Sequence, residues 1–487
     1  MFIYQSITKL LFIVSLFIVS FGTNAAQNNR TIWSIEKVVK TAQSNDPWLL
    51  GNQHLQDSIE SMSIAAGTLP DPKMSLGIAN IAADNFDFSQ EGMTQFKVAV
   101  SQIFSRGDTL KLKQKQLTLM SNQFPFQREN RKAKIAVIAA KLWLDVYKAQ
   151  RSIALIEKDR SLFEQLTDVA QASYASAVGK TRQQDIVRAQ LELTRLDDRL
   201  TLLKQKNEMS QQQLLQWLSN YIVGDHFNKN ANSFLSASAI TLTKNLPNVP
   251  MLNQELFTSN KNIPPQKLYQ LLIKHPAINA LDQKIKASQS GIDLAKQKYK
   301  PAWGVSAGYG VRDDAPNGMA RSDLFSIGVS FDIPIFTSNR QDKQVQSAIS
   351  KASAVKTEKW LFVRKLMAQF ETNRSQFVRL NQRQKLYQQR LLPQMHDQAE
   401  ASLTAYTNDD GDFAEVVRSR IAELNASIDA LNINVERQKS IVQLNYFLIS
   451  KAEQIIPYRN NSSNKIPNEN IPSENMPNEN NIYFGEE

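Results

Sequence analysis

The sequence predicts an α+β membrane protein. Each protomer should carry two long coiled-coil α-helical hairpins and four β-strands, the strands being pooled with those of other copies in one shared outer-membrane β-barrel. Three observations carry this. The chain of 487 residues states one order of elements twice, about 230 residues apart, which reads as an internal duplication of one structural unit. Its longest segments lack glycine and proline and carry apolar residues at heptad spacing. Each of these rods is preceded by two segments in which apolar and small or polar residues alternate strictly.

The duplication is read from matched landmarks. Asn45-Asp46-Pro47 answers to Lys274-His275-Pro276, Leu69-Pro70 to Lys300-Pro301, and residues 184–190 to residues 414–420. At the start of the chain, Lys9 precedes an apolar run over residues 10–21, and Thr23-Asn24-Ala25-Ala26 offers small residues for cleavage. Residues 1–25 are therefore expected to be a secretory signal peptide, the run being too short to span a bilayer. No later stretch approaches about 18 consecutive apolar residues, so membrane insertion must use strands. The chain has no cysteine, which removes disulfides, thiolate metal sites and a lipid-modified cysteine. Its net charge of +11 is spread along the helices, without a basic cluster interleaved with aromatics, so no nucleic-acid partner is expected.

The first repeat, residues 26–218, should hold a lead-in helix, a strand pair at about 73–104 and a long hairpin turning near Gly179. Glycine and proline are absent from residues 126–178 and 180–222. One helix of some 70 residues over 105–178 would reach roughly 100 Å at about 1.5 Å per residue. Residues 219–265, broken by asparagine, serine and proline, should form an irregular equatorial linker outside the rods. The second repeat, residues 266–456, repeats the order with a strand pair at about 303–334 and a turn near Gly411. Residues 457–487 are a low-complexity tail in which Ile466-Pro467-Asn468-Glu469-Asn470 recurs twice in varied form, and disorder is expected there.

The returning arms carry the seams. Ile186, Ala189, Leu193, Leu196, Leu200 and Leu203 are spaced three, four, three, four, three, and Val417, Ile421, Leu424, Ile428, Leu431 and Val435 continue the alternation in the other phase. On the rods alone, a soluble coiled-coil protein such as a periplasmic adaptor is an equal reading. The strands decide between them. Trp303, Val305, Ala307, Tyr309 and Val311 interleave with Gly304, Ser306, Gly308, Gly310 and Arg312, and Phe325, Ile327, Val329, Phe331 and Ile333 interleave with Ser326, Gly328, Ser330 and Asp332. Four strands cannot close a barrel, which needs about eight, and an open edge in lipid leaves backbone groups unpaired at several kcal/mol each. Several protomers must then share one barrel.

This layout resembles the TolC-like family of outer-membrane efflux proteins, the outer membrane factors, over about residues 32–456. The resemblance rests on Leu69-Pro70-Asp71-Pro72-Lys73-Met74-Ser75-Leu76-Gly77 before the first strand pair and Val100-Ser101-Gln102-Ile103-Phe104 at its end. It rests also on Gly179 with Gln183-Gln184-Asp185-Ile186-Val187-Arg188-Ala189-Gln190, and on Tyr406 with Gly411, Phe413, Glu415, Val416 and Val417. The first strand pair is most similar to the heavy-metal branch, the partners of metal-exporting RND pumps. The resemblance implies a homotrimer with a twelve-stranded barrel in outer-membrane lipid above a periplasmic helical tunnel. It also implies a periplasmic adaptor and an inner-membrane RND-type pump as partners. Ser176, Asp409 and Ser105-Arg106-Gly107-Asp108 depart from the family's pattern.

No catalytic constellation is present, and no cofactor is expected. His54, His226, His275 and His396 are scattered without metal-ligand spacing and read as surface or packing residues. The candidate gate or selectivity residues are Asp409, Asp410 and Asp412, with Glu415 one turn on. Aspartates also cap helices and fill turns, an equally weighted reading. In a trimer, such turns would bring about a dozen carboxylates towards one axis, favouring cations in a narrow pore. Arg182 and Asp185 on one turn, with Tyr406 and Arg418 on the other, could latch neighbouring hairpins. A drug or protein exit duct on the same scaffold is the alternative reading of function.

Overall fold

In the computed structural model, the described residues are 32–176, 182–219, 222–223, 226–227, 240–258, 263–408 and 410–456. The expected signal peptide, the tail, much of the linker, Gly179 and Asp409 lie outside them.

The rods take the lengths their composition allows, with two interruptions. The short lead-in elements are β1 (Ile32–Trp33), α1 (Ile35–Ser44) and α2 (Pro47–Ala66). The strands β2 (Lys73–Ala79) and β3 (Gln95–Phe104) lead into α3 (Thr109–Ser121), α4 (Phe124–Ala175) and the returning α5 (Gln183–Leu218). The single 70-residue helix expected over 105–178 is thus two helices. Pro125 explains the break: it lacks an N–H, and its ring excludes the carbonyl four residues back, at Ser121, where α3 stops. The linker contributes β4 (Ile222–Val223), β5 (His226–Phe227), β6 (Thr241–Leu242) and α6 (Glu255–Thr258).

The second repeat runs through α7 (Pro265–Leu272), α8 (Pro276–Lys296), β7 (Trp303–Val311), β8 (Leu324–Phe331), α9 (Gln341–Leu386), α10 (Leu392–Thr407) and α11 (Phe413–Leu448). Between α9 and α10 lies a π-helical turn, Tyr387–Leu391, just before Pro393. The widened turn carries the rod past a residue that cannot donate to the helix ladder, so here proline does not end it.

The helices pack side by side in two tiers. Next to the strands, α2, α3, α8 and α9 are neighbours in that order; farther away the order is α5, α4, α11, α10. The seam residues do the packing. Ala189, Leu196 and Leu200 of α5 and Val417 and Leu424 of α11 are buried in one cluster with Ile156, Phe163, Leu166 and Ala170 of α4. Above it, Lys439 of α11 meets Asp145 of α4 at 2.6 Å and Glu436 at 2.9 Å, while Lys148 reaches Glu436 at 3.4 Å. A second, larger core gathers α1, the upper part of α4, the end of α11 and the linker residues Ile240, Leu242, Val249, Leu256 and Phe257. Two buried amides of α11 clamp the linker there. The Val249 N–H donates to Gln438 Oε1 at 3.0 Å, and the Leu252 N–H to Asn445 Oδ1 at 2.9 Å. Asn445 Nδ2 in turn donates to the carbonyls of Pro250 at 2.9 Å and Ile455 at 3.1 Å.

The four long strands form one antiparallel sheet in the order β2-β3-β7-β8, so the two repeats join through β3 and β7. The register sorts the residues into two faces. Leu76 lies opposite Val98, Val98 opposite Tyr309 and Tyr309 opposite Phe325, one apolar row across all four strands. The next row on the other face is Gly77, Lys97, Gly310 and Leu324. Apolar side chains on the first face are open to the outside, Leu76 at 65% and Ile327 at 70% exposure. No helix among the described residues is long and apolar enough to cross a membrane.

Candidate gate at the hairpin ends

The second hairpin turns where α10 ends and α11 begins. Gly411 sits against the α10 backbone: a Cβ there would stand 2.6 Å from the Tyr406 nitrogen and 2.8 Å from the Ala405 carbonyl carbon. The Asp410 N–H donates to the Ala405 carbonyl at 2.9 Å and draws the chain back over the helix end. Asp412 is the N-cap of α11, its Oδ1 accepting from the Ala414 N–H at 3.2 Å. The capping reading therefore accounts for Asp412, while its charge stays at a helix end that favours a negative group. Asp409 lies outside the described residues.

The remaining candidates are engaged within their own hairpins. Glu415 pairs with Arg418 at 3.4 Å one turn along α11, and Arg418 Nε donates to the Ala414 carbonyl at 3.3 Å. The Tyr406 ring meets buried Phe413 edge-on at 5.5 Å. In the first hairpin, the Arg182 N–H donates to Asp185 Oδ2 at 3.0 Å, and the Asp185 N–H returns to the Arg182 carbonyl at 2.9 Å. Asp185 is buried by this local box at the start of α5. Within one protomer, the hairpin ends share an apolar cluster that includes Phe163, Leu166, Ala170, Ala189, Phe413, Val416 and Val417.

A second charged group lies about three turns up α10. His396 Nδ1 meets Glu423 Oε1 at 2.7 Å, and Arg420 bridges Glu423 at 2.9 Å and Glu400 at 2.7 Å. The hydrogen bond to the Glu423 carboxylate raises the His396 pKa above the usual imidazole value. This contact therefore favours the folded arrangement at low pH and is lost as pH rises through the raised value. Asp159 of α4 faces the same group; burial raises its pKa first, with Glu423 adding to the effect and Lys158 and Arg420 opposing it.

Residues the sequence did not single out for a role stand at the junction of sheet and helices. Arg106 forms an ion pair with Asp332 of the other repeat and donates to the carbonyls of Lys298 at 3.0 Å and Lys300 at 3.3 Å. Asp332 Oδ1 also accepts from the Ala302 N–H at 2.6 Å. Gly107 follows with φ +45°, and a Cβ there would stand 2.4 Å from Lys300 Cδ. The signal was present in the duplication: opposite charges follow the second strand of each pair, two residues after Phe104 and one after Phe331. Of the histidines, His54 is exposed, the His226 side chain lies outside the described residues, and His275 is fully buried.

No protein-family model and no curated protein matches this chain. Among solved structures, it is similar to CusC, described in terms of conformational changes accompanying folding and transmembrane channel formation. The TM-score is 0.65 at 13% identity, over 85% of this chain and 91% of that one. It is similar also to the outer membrane channel CmeC of Campylobacter jejuni, with TM-score 0.67 and 13% identity over 87% of this chain and 86% of that one. The open state of the outer membrane channel MtrE of Neisseria gonorrhoeae gives 0.65 and 13% over 86% and 89%. At such identity the likeness establishes the fold.

Proposed function

We propose, on the premise of a fold shared with outer-membrane channels, that this chain is the outer-membrane exit duct of a tripartite efflux pump in a Gram-negative cell. It works as a homotrimer with a periplasmic adaptor and an inner-membrane RND-type transporter, and it catalyses no reaction itself. One observation carries the reading: a four-stranded sheet with one continuous apolar face, one small and polar face, and two unpaired edges, β2 and β8. In hydrocarbon those edges must be paired. Three copies of four strands give twelve, enough for a barrel with a polar lumen. A periplasmic adaptor, the reading from another class, has no use for such a sheet.

Heavy-metal cations are the proposed cargo, on the resemblance of the first strand pair to the metal branch. A duct for drugs or secreted protein is the alternative, and likeness of fold at 13% identity does not separate the two. Asp409, Asp410, Asp412 and Glu415 form the proposed cation-favouring ring at the periplasmic end. Arg182, Asp185, Tyr406 and Arg418 form the proposed latch between protomers, released by an adaptor that binds the open state better. Expression of the full gene should yield trimers in the outer-membrane fraction and stepwise currents in planar bilayers. Its deletion should sensitise cells to copper, zinc or cobalt rather than to hydrophobic drugs. Recovery as a soluble monomer would overturn the duct; drug sensitivity alone would overturn the metal cargo.

A further inference from the structure

We propose that Lys73 and Lys97 form a cationic lining inside the barrel that offsets, at that end of the duct, the cation preference of the acidic hairpin turns, an inference that rests on the barrel reading above. The four long strands carry two charged residues, both lysines, and no carboxylate. The register places both on the face away from the apolar row. Lys73 lies opposite Ser101, and Lys97 lies between Gly77 and Gly310. The apolar face meets hydrocarbon, so this face meets the aqueous lumen.

Neither lysine is in an ion pair with a described residue, whereas charges at both ends of the sheet are occupied. At the helix end Arg106 pairs with Asp332, and Lys300 meets Asp108 at 3.5 Å. At the other end the Arg312 guanidinium donates to the carbonyls of Ser322 at 2.7 Å and Gly92 at 3.1 Å. Small neighbours then leave Lys73 exposed and Lys97 half-buried along its stem. A Cβ at Gly308 would come within 3.0 Å of Lys97 Cε, so the stem of Lys97 lies across a strand that has no side chain there. Lys73 and Gly77, the partner of Lys97, are four residues apart on β2, which sets the two levels of charge roughly 13 Å apart.

Two tiers of unopposed ammonium groups raise the lumen potential and enrich anionic solutes. The effect is strong at about 0.01 M salt, where the screening length is about 30 Å, and weak at about 0.15 M, where it is about 8 Å. The duct would then have fields of opposite sign at its two ends, acidic at the hairpin turns and basic in the barrel.

The test is the reversal potential of the full-length channel in planar bilayers under a tenfold KCl gradient at low salt. Lys73→Gln with Lys97→Gln is compared with the natural chain, and again in an Asp410→Asn, Asp412→Asn background that removes acid from the turns. The K⁺/Cl⁻ permeability ratio should rise by about twofold or more in both backgrounds, and Lys97→Arg with Lys73→Arg should leave it unchanged. Intact channel steps with an unaltered ratio in both backgrounds would overturn the lining while leaving the barrel standing. Absence of channel steps in the natural chain would remove the barrel reading itself and the lining with it.

Discussion

At the scale of single residues, burial decides which side chains matter. His275 caps α8 through Nδ1, which accepts from the Ala277 N–H at 3.2 Å. Burial pushes its pKa down to about 4, with Lys134 adding to the fall and a backbone contact at Tyr446 opposing it. The neutral imidazole is therefore the folded form. Its contribution is complete above the ordinary value of about 6.5 and is lost as pH falls from there to about 4, a span worth about 3 kcal/mol. The melting temperature of the purified protein should drop over that window, and His275→Asn, which keeps a capping side chain, should flatten the drop. Asn445 is satisfied on three sides, so Asn445→Ala removes three bonds and strands the buried Ile455 carbonyl at about 1–3 kcal/mol, which should lower the melting temperature by several degrees. The sequence offered little warning of either residue. The Lys274-His275-Pro276 tract marked a helix start, but nothing local says that Tyr446, near the end of α11, packs against it. Asp412 was legible as a cap because that chemistry is local; the Arg106–Asp332 pair, 226 residues apart, was marked only by opposite charges at matching places in the two repeats.

At the scale of elements, period and punctuation were legible and kinks were less so. The heptad seams of α5 and α11 lie where the spacing put them, because a three-four alternation can bury one face only. Strand alternation likewise fixed both faces of the sheet, since a slip of one residue would turn every apolar group over. Two prolines in similar settings gave different outcomes, a break at Pro125 and a π-helical turn before Pro393. The faces make a sharp prediction. Ile327→Arg should cost about 2–4 kcal/mol at mid-membrane and deplete the protein from the outer-membrane fraction, whereas the neighbouring Ser326→Arg should assemble normally. Equal loss for both variants would contradict the register.

At the scale of the whole molecule, the two repeats are bound to each other at every level. They share β3 against β7, Arg106 against Asp332, and α4 against α11 with the Lys439, Asp145, Glu436 and Lys148 network between them. Coexpressed halves cut in the linker should therefore reassociate, and reversing the charges with Arg106→Asp and Asp332→Arg should restore part of the stability that either change removes, measured by thermal melting of the purified protein. The repeat was readable because its landmarks recur in order. The tiers of the helical wall were not, since which rods adjoin depends on contacts between segments hundreds of residues apart. The two bare margins of the sheet also set the timetable of maturation. In the proposed trimer, a subunit arriving alone has nothing to seal its outermost ribbons, so completion would become an encounter among siblings whose rate climbs steeply with their abundance. Scarce synthesis would then leave unfinished chains to proteolysis, and the number of finished pores per cell should respond to gene dosage more steeply than in proportion.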